Sequence, residues 1–257
     1  MNAEKICKKC QGNGWLVVEK DGESFARECS CKDSLEVERL LREARIPLRY
    51  QHCDFETFEE GHDPSQVKAK IIAQRYVEDF PLQKHGILFI GPCGVGKTHL
   101  AIAILKRLIR EKKIRCLFYD FRELLKEIQS SYNPVSGTSE MGVLEPVLKA
   151  ELLVLDDLGA EKSSEWVSDT LSYIINYRYN SESATIITSN FEERISEEEF
   201  PEGGIPEGKL TKESLTERIG IRLRSRLFEM CKTIQLRGKD YRKHKSYSLT
   251  SKSPKRA

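Results

Sequence analysis

Nothing in these 257 residues approaches the roughly 20 consecutive apolar positions that a membrane-spanning helix needs. The opening stretch, Met1-Asn2-Ala3-Glu4-Lys5, also lacks the apolar core of a secretory leader. The expectation is a cytoplasmic protein with no membrane partner, and in a reducing compartment structural disulfides are not expected. Net charge is nearly absent: 42 Lys and Arg against 40 Asp and Glu leave +2, which excludes a polycation as a whole. No internal repeat is visible, which excludes a solenoid. With 39% hydrophobic and 32% charged residues, the chain is neither disordered nor membrane-like, and it is long enough for one sizeable core and a small appendage.

What is present is unevenly placed. Four of the eight cysteines (Cys7, Cys10, Cys29, Cys31) crowd the N-terminus; Cys53, Cys93, Cys116 and Cys231 are scattered as ordinary small residues. From Lys209 onward the only acids are Glu213, Glu217, Glu229 and Asp240, against a long series of bases that includes Arg218, Arg222, Arg226, Arg237 and Arg242. Such a local field holds phosphate, on a nucleotide or on nucleic acid, or is simply a solvated face and tail; charge pattern alone does not choose.

Along the chain, residues 1–45 read as a cysteine-rich unit with a short helix over Ser34–Arg45. Ile46-Pro47 ends that helix, because proline restricts the residue before it. A connecting stretch with Phe55 and Phe58 leads into alternating strands and helices. Strands are expected at Gly86–Ile90, Arg115–Tyr119, Leu152–Leu155, Ala184–Thr188 and Thr233–Leu236. Helices are expected at Lys97–Lys112, Phe121–Gln129, Glu165–Tyr179 and Leu215–Met230, with loops at Ser136–Met141 and Pro201–Gly208. Alternation of this kind predicts an α/β fold, a parallel sheet with helices on both faces, over residues 46–247. Residues 248–257 read as a basic, disordered tail.

Gly91-Pro92-Cys93-Gly94-Val95-Gly96-Lys97-Thr98 matches G-x-x-x-x-G-K-[ST] in full, after an apolar strand and before a helix. In that setting glycines let backbone N–H groups face phosphates, and the helix N-terminus adds partial positive charge. Lys97 is expected to reach the β- and γ-phosphates of ATP, and Thr98 to ligate Mg²⁺. His99 stands on the helix beside the site. Leu152–Leu155 followed by Asp156-Asp157 makes a central strand ending in two carboxylates, at the edge where open α/β sheets bind ligands. Asp156 is placed for the Mg²⁺ shell. Asp157 can orient or deprotonate a water, or can serve only as a helix cap before Leu158-Gly159. Asn190, at the end of the next strand, can hydrogen-bond a γ-phosphate or water, or only begin a loop. Arg218, Arg222 and Arg226, at i, i+4 and i+8, form one stripe of the Leu215–Met230 helix; the stripe can supply an arginine finger to a neighbouring subunit or pair with nearby carboxylates.

Cys7-x-x-Cys10 and Cys29-x-Cys31, separated by 18 residues, fit a four-thiolate Zn²⁺ site, with metal supplying folding energy that so short a segment cannot obtain by burial. Free thiols in a loose N-terminus are the other reading.

Together, Gly91–Leu100 (GPCGVGKTHL), Leu152–Gly159 (LLVLDDLG), Thr188–Phe191 (TSNF), Glu217–Leu227 (ERIGIRLRSRL) and Gly238–Arg242 (GKDYR) resemble the DnaC/DnaI-type replicative helicase loaders, AAA+ ATPases related to DnaA. Ile46–Phe58 resembles that family's lead-in to the ATPase domain, and a cysteine-bearing N-terminal unit is also a family feature. The resemblance implies an ATPase using ATP and Mg²⁺, with Asn190 as sensor I, Arg222 or Arg226 as arginine finger and Arg242 as sensor II. It also implies single-stranded DNA and a DnaB-type replicative helicase as partners, head-to-tail homo-oligomers, and a zinc unit that contacts the helicase. The same family contains IstB-type transposition helpers, so an ATPase partner of a transposase is the alternative. The Glu202–Gly208 insertion departs from a minimal loader.

Overall fold

Four largely apolar runs and one mixed run, Cys231–Gln235, become the strands of one parallel sheet in a computed structural model, which describes residues 7–20, 22–61, 63–82, 85–133, 135, 137–161, 164–191 and 214–242. In chain order the elements are β1 (Trp15–Lys20), β2 (Glu23–Glu28), α1 (Cys31–Glu43), α2 (Pro64–Asp79), β3 (Gly86–Ile90), α3 (Lys97–Lys112) and β4 (Cys116–Asp120). There follow α4 (Phe121–Ser131), α5 (Glu140–Lys149), β5 (Leu152–Asp156), α6 (Glu165–Asn180), β6 (Ala184–Ser189), α7 (Leu215–Ile219), α8 (Ile221–Met230) and β7 (Cys231–Gln235). The sheet runs β4-β5-β6-β3-β7. Both faces are covered, so strand residues alternate between two cores: Leu152 and Val154 join the one containing α2 and α3, Leu153 and Leu155 the one containing α4 to α6 and α8. The α/β reading holds. Among the described residues no helix is long and apolar enough to cross a membrane.

Several elements differ from the sequence reading, each for a local reason. The stretch Leu215–Met230 is two helices, because Gly220 sits at φ 82°, ψ 153°, outside helical space. Arg218 therefore lies on α7 while Arg222 and Arg226 lie on α8, and the single arginine stripe is not formed. Helix α5 begins inside the stretch read as loop; Pro146 within it obscures the helical pattern, since proline removes a backbone donor. Helix α2 is absent from the sequence reading although Asp63 caps its N-terminus by accepting from Ser65 N and Pro64 occupies the first turn, a recognisable start signal. The hairpin β1–β2 is absent from it as well. Its register, Lys20↔Glu23, follows an Asp21-Gly22 dipeptide in the sequence, which is a strong hairpin signal. Helix α1 starts at Cys31 and buries Leu40, with Ala44 just beyond it, in the core that contains α3. The Pro201–Gly208 segment, with the Glu202–Gly208 insertion, and the 248–257 tail lie outside the described residues.

Arg178 of α6 is fully buried and donates to five neutral acceptors: Thr185 Oγ1 and the carbonyls of Val147, Leu148, Ala150 and Ala184. Burial brings its pKa down to about 10. The cation satisfies carbonyls at the C-terminal end of α5, where the helix dipole favours positive charge, and ties that end to the start of β6. This holds the sheet at its end remote from the carboxylates of β5.

Candidate nucleotide site and N-terminal thiol cluster

The turn from β3 to α3 is the P-loop. Gly91 has φ +145°, and a Cβ there would stand 2.0 Å from the Leu236 carbonyl; Gly94 has φ +79°, and a Cβ there would stand 1.8 Å from Asp240 Oδ1. Both positions therefore need glycine, since the chain after β7 lies directly against the loop. Leu236 N donates to Ile90 O at 2.8 Å and Tyr241 N to Gly94 O at 3.1 Å. This packing carries Arg242 to the cavity.

Lys97 is buried, and its Nζ donates to Gly91 O, Pro92 O and Asn190 Oδ1, each at 2.8 Å. Burial lowers its pKa. Thr98 Oγ1 donates to Asp156 Oδ1 at 2.8 Å, and Thr188 Oγ1 to the same oxygen at 2.6 Å. Burial raises the Asp156 pKa against those two hydrogen bonds. Asp157 stands at φ 59° and donates its N–H to Thr188 Oγ1 at 3.0 Å. Its own pKa is raised by burial, against the opposing charge of Arg122. Asn190 Nδ2 donates to Asp157 Oδ1.

The sheet order explains these contacts. β6 lies between β3 and β5, so the residue following β6 falls between the P-loop lysine and the carboxylates after β5. Asn190 thus bonds Lys97 on one side and Asp157 on the other. Thr98 and Asp156 present hard oxygen donors side by side, a set that suits Mg²⁺.

A cavity of about 1240 Å³ joins these groups to the C-terminal edge of the sheet. It takes in Cys93, Gly94, Val95, Gly96, Lys97, Thr98, His99, Asp156, Asp157, Asn190 and Arg242. It also takes in Tyr50, His52, Cys53, Phe58, Asp120 and Thr188, which the sequence reading did not single out as site residues. Asp120 ends β4 opposite Asp156 in register and caps α4, a strand-end signal like that of Asp156. The aromatic and histidine residues come from the irregular connection within Ile46–Phe58, a stretch whose resemblance marks a lead-in to the domain and names no site residue. Arg222 and Arg226 do not line the cavity: Arg222 is exposed, and Arg226 lies 6.0 Å from the ring of Tyr179.

At the N-terminus, Cys7, Cys10, Cys29 and Cys31 bring their sulfurs within 4.8 Å of one another. The Cys7–Cys29 and Cys10–Cys31 sulfur distances are 3.8 and 3.4 Å, close to the roughly 3.8 Å edge of a tetrahedron with about 2.3 Å zinc–sulfur bonds. The hairpin β1–β2 carries one pair before it and one after it. Gly14 N donates to Cys10 Sγ at 3.3 Å. Backbone N–H groups of Cys10 and Lys9 hold Cys7 down to about 6, while hydrogen bonds with Cys10 and Cys29 push Cys31 up to about 12. Four sulfurs so close hold protons between them, and a bound divalent cation would replace those protons.

The fold and the cradle define a P-loop protein of the AAA+ kind. The model of the IstB-like ATP binding proteins matches residues 3–248, and the chain belongs to that family. The crystal structure of the DnaC helicase loader is similar at 32% identity and TM-score 0.61, covering 74% of this chain and 100% of that one. The replicative helicase loader DnaC of Buchnera aphidicola subsp. Schizaphis graminum is 29% identical over 172 residues, 67% of this chain and 68% of that protein. YqaM of Bacillus subtilis is 26% identical over 195 residues, 72% of this chain and 59% of YqaM. The chain therefore spans less than two thirds of that relative's length.

Proposed function

We propose that this protein is an ATP-driven loader of a DnaB-type replicative helicase, hydrolysing ATP with Mg²⁺ as a switch while engaged with single-stranded DNA. One observation carries the reading: a complete P-loop site shares its chain with a four-thiol N-terminal unit, in a chain whose match covers the whole length of the DnaC loader structure. In this reading Lys97 holds the β- and γ-phosphates, Thr98 and Asp156 hold Mg²⁺, Asp157 activates water, and Asn190 and Arg242 sense the γ-phosphate. Mg²⁺ supplies charge neutralisation on the phosphates when bound. Asn190, now bonded to Lys97, is placed to exchange that bond for one to nucleotide.

The test is capture of partners from the source cell with Lys97→Ala protein, alongside direct DNA binding. Recovery of a hexameric helicase is expected. Recovery of a transposase instead supports the alternative suggested by the IstB-like description of the family. Single-stranded DNA binding is expected to strengthen with ATP and to weaken steeply with salt, as phosphate contacts require. Salt-insensitive binding, or none in any nucleotide state, counts against both readings.

Cys7, Cys10, Cys29 and Cys31 are assigned to one Zn²⁺, held in a unit that contacts the helicase. Protein purified without chelator should carry about one zinc per chain by elemental analysis. A metal-free protein whose four thiols alkylate readily in the native state would remove the site.

A further inference from the structure

The connection between α1 and α2 is irregular apart from one 3₁₀ turn at Leu48–Tyr50, yet it supplies Tyr50, His52, Cys53 and Phe58 to the cavity. Its own hydrogen bonds are short-range turns, such as Cys53 N to Tyr50 O at 3.0 Å and Thr57 Oγ1 to His52 O at 2.7 Å, and these do not fix where the segment sits on the rest of the fold. It is held by α3, the helix that begins at the P-loop. His99, in the first turn, places Nε2 2.8 Å from Asp54 O. Lys106, two turns on, is buried and spends its three donor hydrogens on Gln51 O at 2.9 Å, Cys53 O at 2.7 Å and Asp54 Oδ2 at 3.0 Å. Arg110 donates to the same Asp54 Oδ2 at 2.8 Å. Positions 99, 106 and 110 share one face of the helix. Phe58 closes the arrangement, packing edge-on to His99 with ring centroids 5.3 Å apart and approaching Gly96 so closely that a Cβ there would stand 2.5 Å from its ring.

A buried ammonium is costly unless every donor is satisfied, and an apolar side chain would fill the same space. The amine does something an apolar group cannot: it selects one register of residues 51–54 along α3. The Asp54 carboxyl, although partly desolvated, lies below its ordinary range because Arg110 and Lys106 hydrogen-bond its ionised form. The Asp54 carboxylate therefore stays ionised at neutral pH. One rigid helix thereby carries the phosphate cradle at its start and, along its side, the wall that offers planar rings to the rest of the ligand.

We propose that Lys106 and Asp54 are positioning residues for the base end of the nucleotide. By fastening residues 51–58 to α3 at a set distance from the P-loop, they make the site select a nucleoside triphosphate over bare triphosphate. This rests on the nucleotide reading of the cavity. Neither residue touches the phosphates.

The experiment is calorimetric titration of the full chain with ATP and, separately, with inorganic tripolyphosphate, in the wild type and in Lys106→Met and Asp54→Asn proteins. Asp54→Asn conserves shape at a partly exposed position, so it keeps the test open if Lys106→Met does not fold. ATP affinity should fall at least about tenfold in the variants, with tripolyphosphate affinity unchanged. The double variant should lose little more than either single one, because both break the same clasp. Equal weakening of both ligands marks a merely structural role and overturns the proposal, as does unchanged ATP affinity in a folded variant. A wild-type protein that binds tripolyphosphate as tightly as ATP overturns it too. If the wild type binds neither ligand, the nucleotide reading itself fails.

Discussion

Alanine at the α8 arginine that acts in trans, Arg222 or Arg226, should leave a protein almost without ATP turnover although its own P-loop is intact. Mixing that protein with the Lys97→Ala protein should restore activity, because each variant supplies what the other lacks. The loss expected alone is about 10³–10⁵ in rate, the worth of an arginine finger in other nucleotide hydrolases. A finger role for either would need a neighbour, since Arg222 is exposed, Arg226 lies against Tyr179, and neither lines its own chain's cavity. The non-helical Gly220 separates α8 from α7, so Arg218 is not part of the same row. Turnover per subunit should also rise with protein concentration. If the arginines serve only surface pairing, each contributes little, both alanine proteins stay active, and mixing changes nothing. A concentration-independent rate together with two active variants would end the head-to-tail assembly.

Asp157→Asn should bind ATP and fail to turn it over, with a rate loss of about 10²–10⁴, the range of a positioned general base. Asn190 already donates to Asp157 Oδ1, so an amide oxygen at the same place keeps that contact and the local geometry. Removal of the base then shows in turnover rather than in affinity. Lys97→Ala should behave oppositely: it deletes the cation proposed to pair with the β- and γ-phosphates, and binding itself should be lost. Equilibrium binding and single-turnover rates on the two proteins separate the roles. Wild-type hydrolysis by the Asp157 variant would strike it from the machinery.

Much of this was legible because it is local. A P-loop is eight contiguous residues whose glycines, lysine and threonine act within one turn, so its chemistry is written at fixed spacing. The same holds for four apolar residues followed by two aspartates, where strand, sheet edge and carboxylates are consecutive. Cys7-x-x-Cys10 and Cys29-x-Cys31 were equally plain as pairs, although only the hairpin between them explains how 18 intervening residues return the second pair to the first. Helices whose patterns are interrupted, α5 by Pro146 and the Leu215–Met230 stretch by Gly220, were the least legible. One odd residue there decides a boundary that periodicity averages over.

The residues of the P-loop and of β5, and the α/β alternation, were determined by sequence alone, since they rest on short-range spacing and on burial patterns that any single segment displays. Only the tertiary structure decided that β6 enters between β3 and β5, which sets Asn190 between Lys97 and Asp157. It alone decided that Lys106 and Asp54 clasp, 52 positions apart, and that the chain after β7 lies on Gly94. Strand order and side-chain pairing across such separations depend on which surfaces bury each other best. That is a property of the whole packed core and leaves no periodic mark in the segments it joins.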